Sequence, residues 1–229
     1  MNIFITGISS GIGKDLALEF AKNGHNVYGI SRRELEYSDE KITHQCLDMN
    51  DIGAQKLKLL DSVDQIDIVI LNAGVLGEVK KIQDTTTEDL KNTMQINLWS
   101  QKNLIDNLLA NHNLKNVFAI SSGAANKGSK GWAGYSLSKA AFKILIELYS
   151  NEESQIHFLN IAPGLVNTKM QDYICDEVDK EKFPNMQRLK DAREDGSMIS
   201  PKELATKFYG LLDRFYKEDS GDFIDLRNF

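Results

Sequence analysis

Short β-forming apolar runs alternate along this chain with stretches in which apolar residues recur at helical spacing. Asn2–Thr6 is the first run, and Leu16, Ala17, Phe20 and Ala21 then mark one face of a helix. Residues 26–30, 42–47, 67–71, 117–120, 156–161 and 221–225 repeat the strand signal. Between them the pattern predicts a short helix over 54–60 and a long one from Thr85-Thr-Thr-Glu88, a capping box, to about His112. A helix over 135–150 follows Val117-Phe-Ala-Ile120. The last starts at the capping box Ser200-Pro-Lys-Glu203, with proline at its first position, and runs through Leu212. Strands alternating with helices imply right-handed crossovers, so the expected fold class is α/β: a parallel sheet with helices on both faces. No linker or repeat interrupts residues 1–229, which predicts one domain.

Candidate chemistry sits just past the strands. The first strand ends in Gly7-Ile-Ser-Ser10-Gly11-Ile12-Gly13, a glycine turn that opens a helix. Glycines let the backbone approach a pyrophosphate, and free helix N–H groups stabilise its charge. The spacing is Gly-x-x-x-Gly-x-Gly rather than Gly-x-Gly-x-x-Gly. The second strand ends in Ser31-Arg32-Arg33, where arginines would attract a 2′-phosphate, so NADP(H) is preferred over NAD(H). Asp48, beside Met49, either meets the adenine or caps the 54–60 helix. Asn72-Ala73-Gly74 after the fourth strand is small enough to pack beside a ribose. Asn97 interrupts an apolar helix, and a buried asparagine must be hydrogen-bonded. It is either a satisfied core amide or part of an active-site network.

The stretch from Ser121 to Lys139 carries the reaction chemistry. Tyr135 and Lys139 stand one helical turn apart, and Ser122 arrives from the adjacent strand end. A phenol is a poor acid–base catalyst at neutral pH, and a neighbouring cation is expected to lower its pKa. Spacing alone proves little, because Tyr37 and Lys41 repeat it; that pair falls in a polar stretch and is expected to be a solvated loop. Past the sixth strand, Pro163-Gly164-Leu-Val166-Asn-Thr168 offers a hydroxyl to a nicotinamide carboxamide. Residues 169–198 interleave Met170, Tyr173, Ile174, Phe183, Met186 and Leu189 with many charges, which predicts a helical lid over the substrate.

Composition removes other classes. A net charge of −6 without a basic stripe argues against nucleic acid. No apolar run reaches the ~20 residues that span a bilayer, and no leader pattern precedes the first strand. The four histidines have no ligand spacing, so no metal is expected. Cys46 and Cys175 form no motif and suit free thiols in a reducing, cytoplasmic setting. There is no Gly-x-Ser-x-Gly elbow of a serine hydrolase.

Together these motifs resemble the short-chain dehydrogenase/reductase superfamily over essentially the whole chain. Thr6-Gly-x-x-x-Gly-x-Gly13, Asn72-Ala-Gly74, Pro-Gly-x-Val-x-Thr168 and the tetrad Asn97, Ser122, Tyr135 and Lys139 match its order and spacing. The resemblance implies a Rossmann-type doubly wound sheet of about seven strands in the order 3-2-1-4-5-6-7. It also implies that Tyr135 protonates a carbonyl oxygen as hydride arrives, with Ser122 bonding that oxygen. Lys139 would hold the ribose and Asn97 a water relay. Lys130-Gly-Trp132-Ala-Gly-Tyr135 and Pro163-Gly-x-x-x-Thr-x-Met-Gln171 are similar to the benzil reductase branch near the sepiapterin reductases. That branch implies NADPH-dependent reduction of a ketone or diketone in an apolar pocket formed by Ser122, Trp132, Tyr135 and Met170. Homodimers or homotetramers through the two long helices are usual for such proteins. Hydroxysteroid or 3-oxoacyl reduction, or a non-catalytic NADP(H) sensor, are the alternatives.

Overall fold

The computed structural model describes residues 1–52, 55–179 and 181–229. Seven parallel strands form one sheet in the order β3-β2-β1-β4-β5-β6-β7, as expected. They are β1 (Asn2–Thr6), β2 (Asn26–Ser31), β3 (Ile42–Cys46), β4 (Gln65–Leu71), β5 (Asn113–Ile120), β6 (His157–Ala162) and β7 (Phe223–Asp225). β4 and β5 begin earlier than their apolar runs suggest. Their polar first residues pair Gln65 with Asn113 and extend the ladder toward solvent.

The central strands alternate their side chains between two cores. Ile3, Ile5 and Phe118 pack with Leu16 and Phe20 of α1 (Gly11–Lys22) and with Leu204 and Phe208 of α7 (Pro201–Gly210). Phe4, Val69 and Val117 pack on the other face with Leu104 and Leu108 of α3 (Ser100–Asn111), and with Phe142 and Ile146 of α4 (Ala133–Glu152). The reciprocal Ser200–Glu203 box forms at the start of α7, as its sequence predicts.

Four helix expectations change, three of them before β5. The box before α2 (Thr87–Met94) is made by Thr86 and Asp89, one residue beyond the predicted pair. The long helix is not uniform, because Gln95–Trp99 is a π-helical turn between α2 and α3. Of the expected 54–60 helix, residue 54 lies outside the described residues, and the rest holds only a 3₁₀ turn at Lys58–Leu60. Gln45 of β3 explains this. Its amide donates to Lys56 O and accepts from Leu59 N, taking backbone groups that a helix would pair.

Past β6 come α5 (Lys169–Asp172), a π-turn at Tyr173–Glu177, a 3₁₀ turn at Pro184–Met186, and α6 (Gln187–Glu194). Ile174, Cys175, Phe183, Met186 and Leu189 bury one another there with Leu76, against Trp132, Tyr135 and Met170. The segment is a small third core at the C-terminal edge of the sheet. α8 (Leu212–Phe215) follows a break at Leu211 that splits the predicted last helix.

Candidate active site

β1 and the loop after β4 meet in a knot of part-buried hydrogen bonds, on which α1 sits. The N–H groups of Asn72 and Ala73 both donate to Thr6 Oγ1, each at 2.9 Å, and Asn72 Nδ2 donates to Thr6 O at 2.9 Å. Gly13 lies against this knot. A Cβ there would stand 2.4 Å from Gly7 O and 2.5 Å from Asn72 Nδ2, so only glycine lets α1 seat on the turn. Tyr37 secures the turn from outside, donating to Ile8 O at 2.7 Å, with Lys14 rather than Lys41 over its ring. The expectation of a solvated loop is therefore corrected. The phenol is half-buried, and burial pushes its pKa up.

The turn opens a cavity of about 320 Å³ lined by Gly7, Ser10, Gly11 and Ile12, by Ser31, Arg32, Arg33, Asp48 and Met49, and by Asn72, Ala73 and Gly74. Tyr135, Lys139, Pro163 and Thr168 complete its far side. Ser10 stands at the N-cap of α1 in extended conformation, yet its side chain caps no N–H of the helix. The helix end thus keeps first-turn donors for an anion, with two guanidinium groups on the same cavity. These residues fit a dinucleotide phosphate. Three expected members do not line this cavity: Gly13 is buried beneath the turn, and Gly164 and Val166 face the second cavity instead.

At the adenosine end, Ser31 is already engaged. Its hydroxyl donates to Arg33 O and therefore accepts from His44 Nε2, both at 2.8 Å, so it shapes the arginine loop rather than offering a free donor. Arg33 reaches Ser10 Oγ at 3.1 Å, and Arg32 stands 4.0 Å from Asp48. Asp48 caps a 3₁₀ turn at Met49–Asp51 through Asn50 N, in place of the expected helix cap. One of the scattered histidines, His44, lies in a cluster of candidate ligand groups among the described residues. His44 Nδ1 lies 3.7 Å from Glu34, and ligand atoms of Glu34, His44 and Cys46 all fall within 4.8 Å of one another. Period-two alternation of His44 and Cys46 on β3 was the available signal.

A second cavity of about 740 Å³ opens on the other side of Tyr135, lined by Ser122, Trp132, Gly164, Val166 and Met170 among others. Tyr135, Ser121, Ile12, Pro163, Thr168 and Met170 line both. The tetrad is assembled at this junction. Ser122 Oγ accepts from Ala124 N at 3.1 Å, which leaves its O–H free to donate. Lys139 is 5% exposed; its Nζ donates to Ile120 O at 2.8 Å and stands 5.9 Å from the centre of the Tyr135 ring. Ser121, at the head of the 121–139 stretch, has a buried hydroxyl with no partner among the described residues.

Asn97 is a satisfied core amide. Its Oδ1 accepts from Val75 N at 2.8 Å, and its Nδ2 donates to Val75 O at 2.8 Å and to Ser138 Oγ at 2.9 Å. The π-turn aims it between the β4 loop and α4. Gly74 packs closely here: a Cβ would stand 3.2 Å from Asn97 Oδ1, which would have to give by a few tenths of an ångström, and 3.7 Å from Lys139 Nζ, an ordinary contact. Ser138 is the member of this network that sequence missed; its place one residue before Lys139 was the clue.

The electrostatics correct one expectation. Burial pushes the Tyr135 phenol up, against the smaller downward pull of the Ser122 hydroxyl. The cation does not reverse this, because burial brings Lys139 itself down to about 8 and its ammonium is turned to Ile120 O. In this arrangement the phenol is held as an acid at neutral pH. Trp132 meets its edge at 5.8 Å and 84°.

Comparison with known proteins agrees with this geometry. The family model described as short chain dehydrogenase matches residues 1–179. A benzil reductase of Bacillus subtilis that forms (S)-benzoin is 28% identical over 240 residues, covering 98% of each chain. An NADPH-dependent pterin aldehyde reductase of Arabidopsis thaliana is 29% identical, covering 73% of this chain and 76% of its own. A crystal structure of a short chain dehydrogenase/reductase from Saccharomyces cerevisiae superposes with a TM-score of 0.86 at 25% identity, covering 98% of this chain and 95% of that one.

Proposed function

Because the chain belongs to the short chain dehydrogenase family, we propose that this oxidoreductase is an NADPH-dependent carbonyl reductase acting on a ketone or diketone. One observation carries the reading: Tyr135 is on the wall common to both cavities, with Lys139 in the first and Ser122 in the second. Arg32 and Arg33 would hold the 2′-phosphate, the N-terminus of α1 the pyrophosphate, and Lys139 the nicotinamide ribose. Asp48, the carboxylate beside them at 4.0 Å from Arg32, is engaged by Asn50 N, and both guanidinium groups keep donors for a phosphate. Reduced nicotinamide, when bound there, supplies hydride to the carbonyl carbon.

Tyr135 gives its proton to the carbonyl oxygen, for which the raised pKa keeps the acid form in store. Ser122 donates its free hydroxyl hydrogen to the same oxygen as charge develops on it. Lys139, having spent one donor on Ile120 O, keeps others for hydroxyl groups and steadies the phenolate. Asn97 acts through position, fixing Val75 and Ser138 and with them the start of α4. The described residues of 169–179 and 181–198 would act as the lid, with Ile174, Phe183, Met186 and Leu189 packed over Trp132 and Tyr135. Two unpaired cysteines suit a reducing, cytoplasmic setting.

Leu137, Ile144 and Leu148 form an exposed stripe along α4, and Trp99 is exposed nearby in sequence to α3. This stripe supports homo-oligomerisation through the long helices, which sedimentation would read as a mass above that of one chain.

The deciding experiment is NADPH oxidation by purified protein against aromatic diketones and pterin ketones, with NADH beside it. Tyr135→Phe should lower turnover by about 10²–10⁴-fold while NADPH binding persists. Equal turnover in the variant sinks the mechanism, and tight NADPH binding without turnover of any ketone favours a sensor.

A further inference from the structure

The second cavity is charged in a way that a site for neutral diketones does not require. Its floor is apolar, with Leu76, Trp132, Leu165, Met170 and Ile174, but its lining also holds Lys127, Lys130, Arg188 and Arg227. Against these four cations stands one carboxylate, Asp225, and Arg227 already holds it at 2.9 and 3.1 Å. The whole chain carries a net charge of −6, so the concentration runs against its average. None of the four lines the first cavity, where Arg32, Arg33 and the end of α1 already serve the cofactor's phosphates. They are therefore unexplained by dinucleotide binding.

The lid itself makes the contrast plain. Arg193 on α6 is held by both Asp172 and Asp176, Lys182 by Asp179, and Lys190 faces Glu194. Arg188, on the same helix but lining the cavity, has no carboxylate partner among the described residues, and neither has Lys127 on the opposite loop. Lys130 leans on the Phe183 ring instead, 5.8 Å from its centre. The two sides are tied across the mouth, because Asn185 donates to Lys130 O at 3.1 Å. A concave site lined by one sign of charge focuses its field and concentrates ligands of the other sign. A guanidinium with no internal partner offers paired donors to carboxylate or phosphate oxygens.

We propose that the substrate is an anionic carbonyl compound: an apolar body carrying the reducible carbonyl, with a carboxylate or phosphate held by Arg188 and Lys127. The assignment rests on the second cavity being the carbonyl site and adds no step to the reaction. It names what the carbonyl's far end must carry.

The test uses an aryl diketone, its para-carboxylate and its para-phosphonate, with NADPH, at low and at high potassium chloride. The anionic forms should exceed the neutral one in kcat/KM by about tenfold at low salt, and the advantage should shrink as salt screens it. Arg188→Gln and Lys127→Gln, both at exposed positions, should each bring the anionic-to-neutral ratio toward one. The better of carboxylate and phosphonate identifies the oxyanion. Equal kcat/KM for charged and neutral forms, without salt dependence, overturns the proposal while leaving the reductase reading intact. If no ketone is turned over, the reductase reading has failed, and calorimetry still decides the charge preference. Tighter binding of the para-carboxylate than of its methyl amide, lost in Arg188→Gln, upholds the anion site, and equal binding overturns it.

Discussion

The first cavity opens beside a junction where β1 and the loop after β4 are tied by hydrogen bonds; the second is walled in part by a segment held by packing and surface ion pairs. Thr6 Oγ1 alone fixes two N–H groups of the β4 loop, and Gly13 seats the helix on that knot. On the other side, Ile174, Met186 and Leu189 cover Tyr135 from a segment built of short, interrupted turns. A cofactor common to many reactions suits the rigid wall. A substrate that differs from one reductase to the next suits the wall that can be repacked without touching the sheet.

The contrast can be broken most severely at Gly13. Gly13→Ala drives a Cβ into Gly7 O, and the backbone must give way. We expect about 3 kcal/mol or more to be lost in urea unfolding, together with NADPH affinity. A wild-type midpoint would mean that turn and strand part easily. Met186→Ala probes the other wall at a fully buried side chain. Within a rigid global core it would cost about 2–5 kcal/mol. If the lid opens as its own unit, the unfolding midpoint hardly moves, while amide exchange across 173–189 quickens and KM rises.

Arg32→Ala should weaken NADPH about tenfold or more by fluorescence titration and leave NADH nearly unchanged, since charge-assisted bonds to phosphate contribute about 1.5–3 kcal/mol. An unchanged preference would move the contact to Arg33. The smallest effect is in pH. Lys139 is brought from 10.5 to about 8 by burial, so kcat/KM for reduction should be level below about 8 and decline above it as the cation is lost. The linked stability runs the opposite way. Between about 8 and 10.5 the unfolded chain binds a proton that the folded chain does not, so stability rises with pH through that window. A level profile to pH 10 would mean that Lys139 is not needed as a cation.

Much of the first cavity's wall was legible in the sequence because its glycine turn and its Tyr135/Lys139 pair are local, although the Thr6 bonds to Asn72 and Ala73 that tie it are not. A strand, a glycine turn and a helix lie within residues 2–22, and Tyr135 and Lys139 share one helix face. What escaped is long-range. Gln45 unpicks the 54–60 helix through bonds that no periodicity encodes, and Ser31 is claimed by His44 from the next strand. The phenol's pKa escaped for the same reason. Spacing supplies the neighbouring cation, but only the packed interior supplies the desolvation that outweighs it. The cations of the second cavity come from the loop after β5, from α6 and from the chain's last turn, and nothing in their spacing unites them.

The π-turn at Gln95–Trp99 amounts to one surplus residue threaded into an otherwise continuous helix. Each residue advances an α-helix by about 100°, so the surplus puts α2 and α3 out of phase by that angle. Each half can then keep its own partners, α2 facing α4 while Leu104 and Leu108 of α3 face the sheet, with Asn97 at the slip between them. Deleting a single residue here would mend the helix and scramble its faces. A shift of reading phase, rather than any side chain, is what delivers the asparagine.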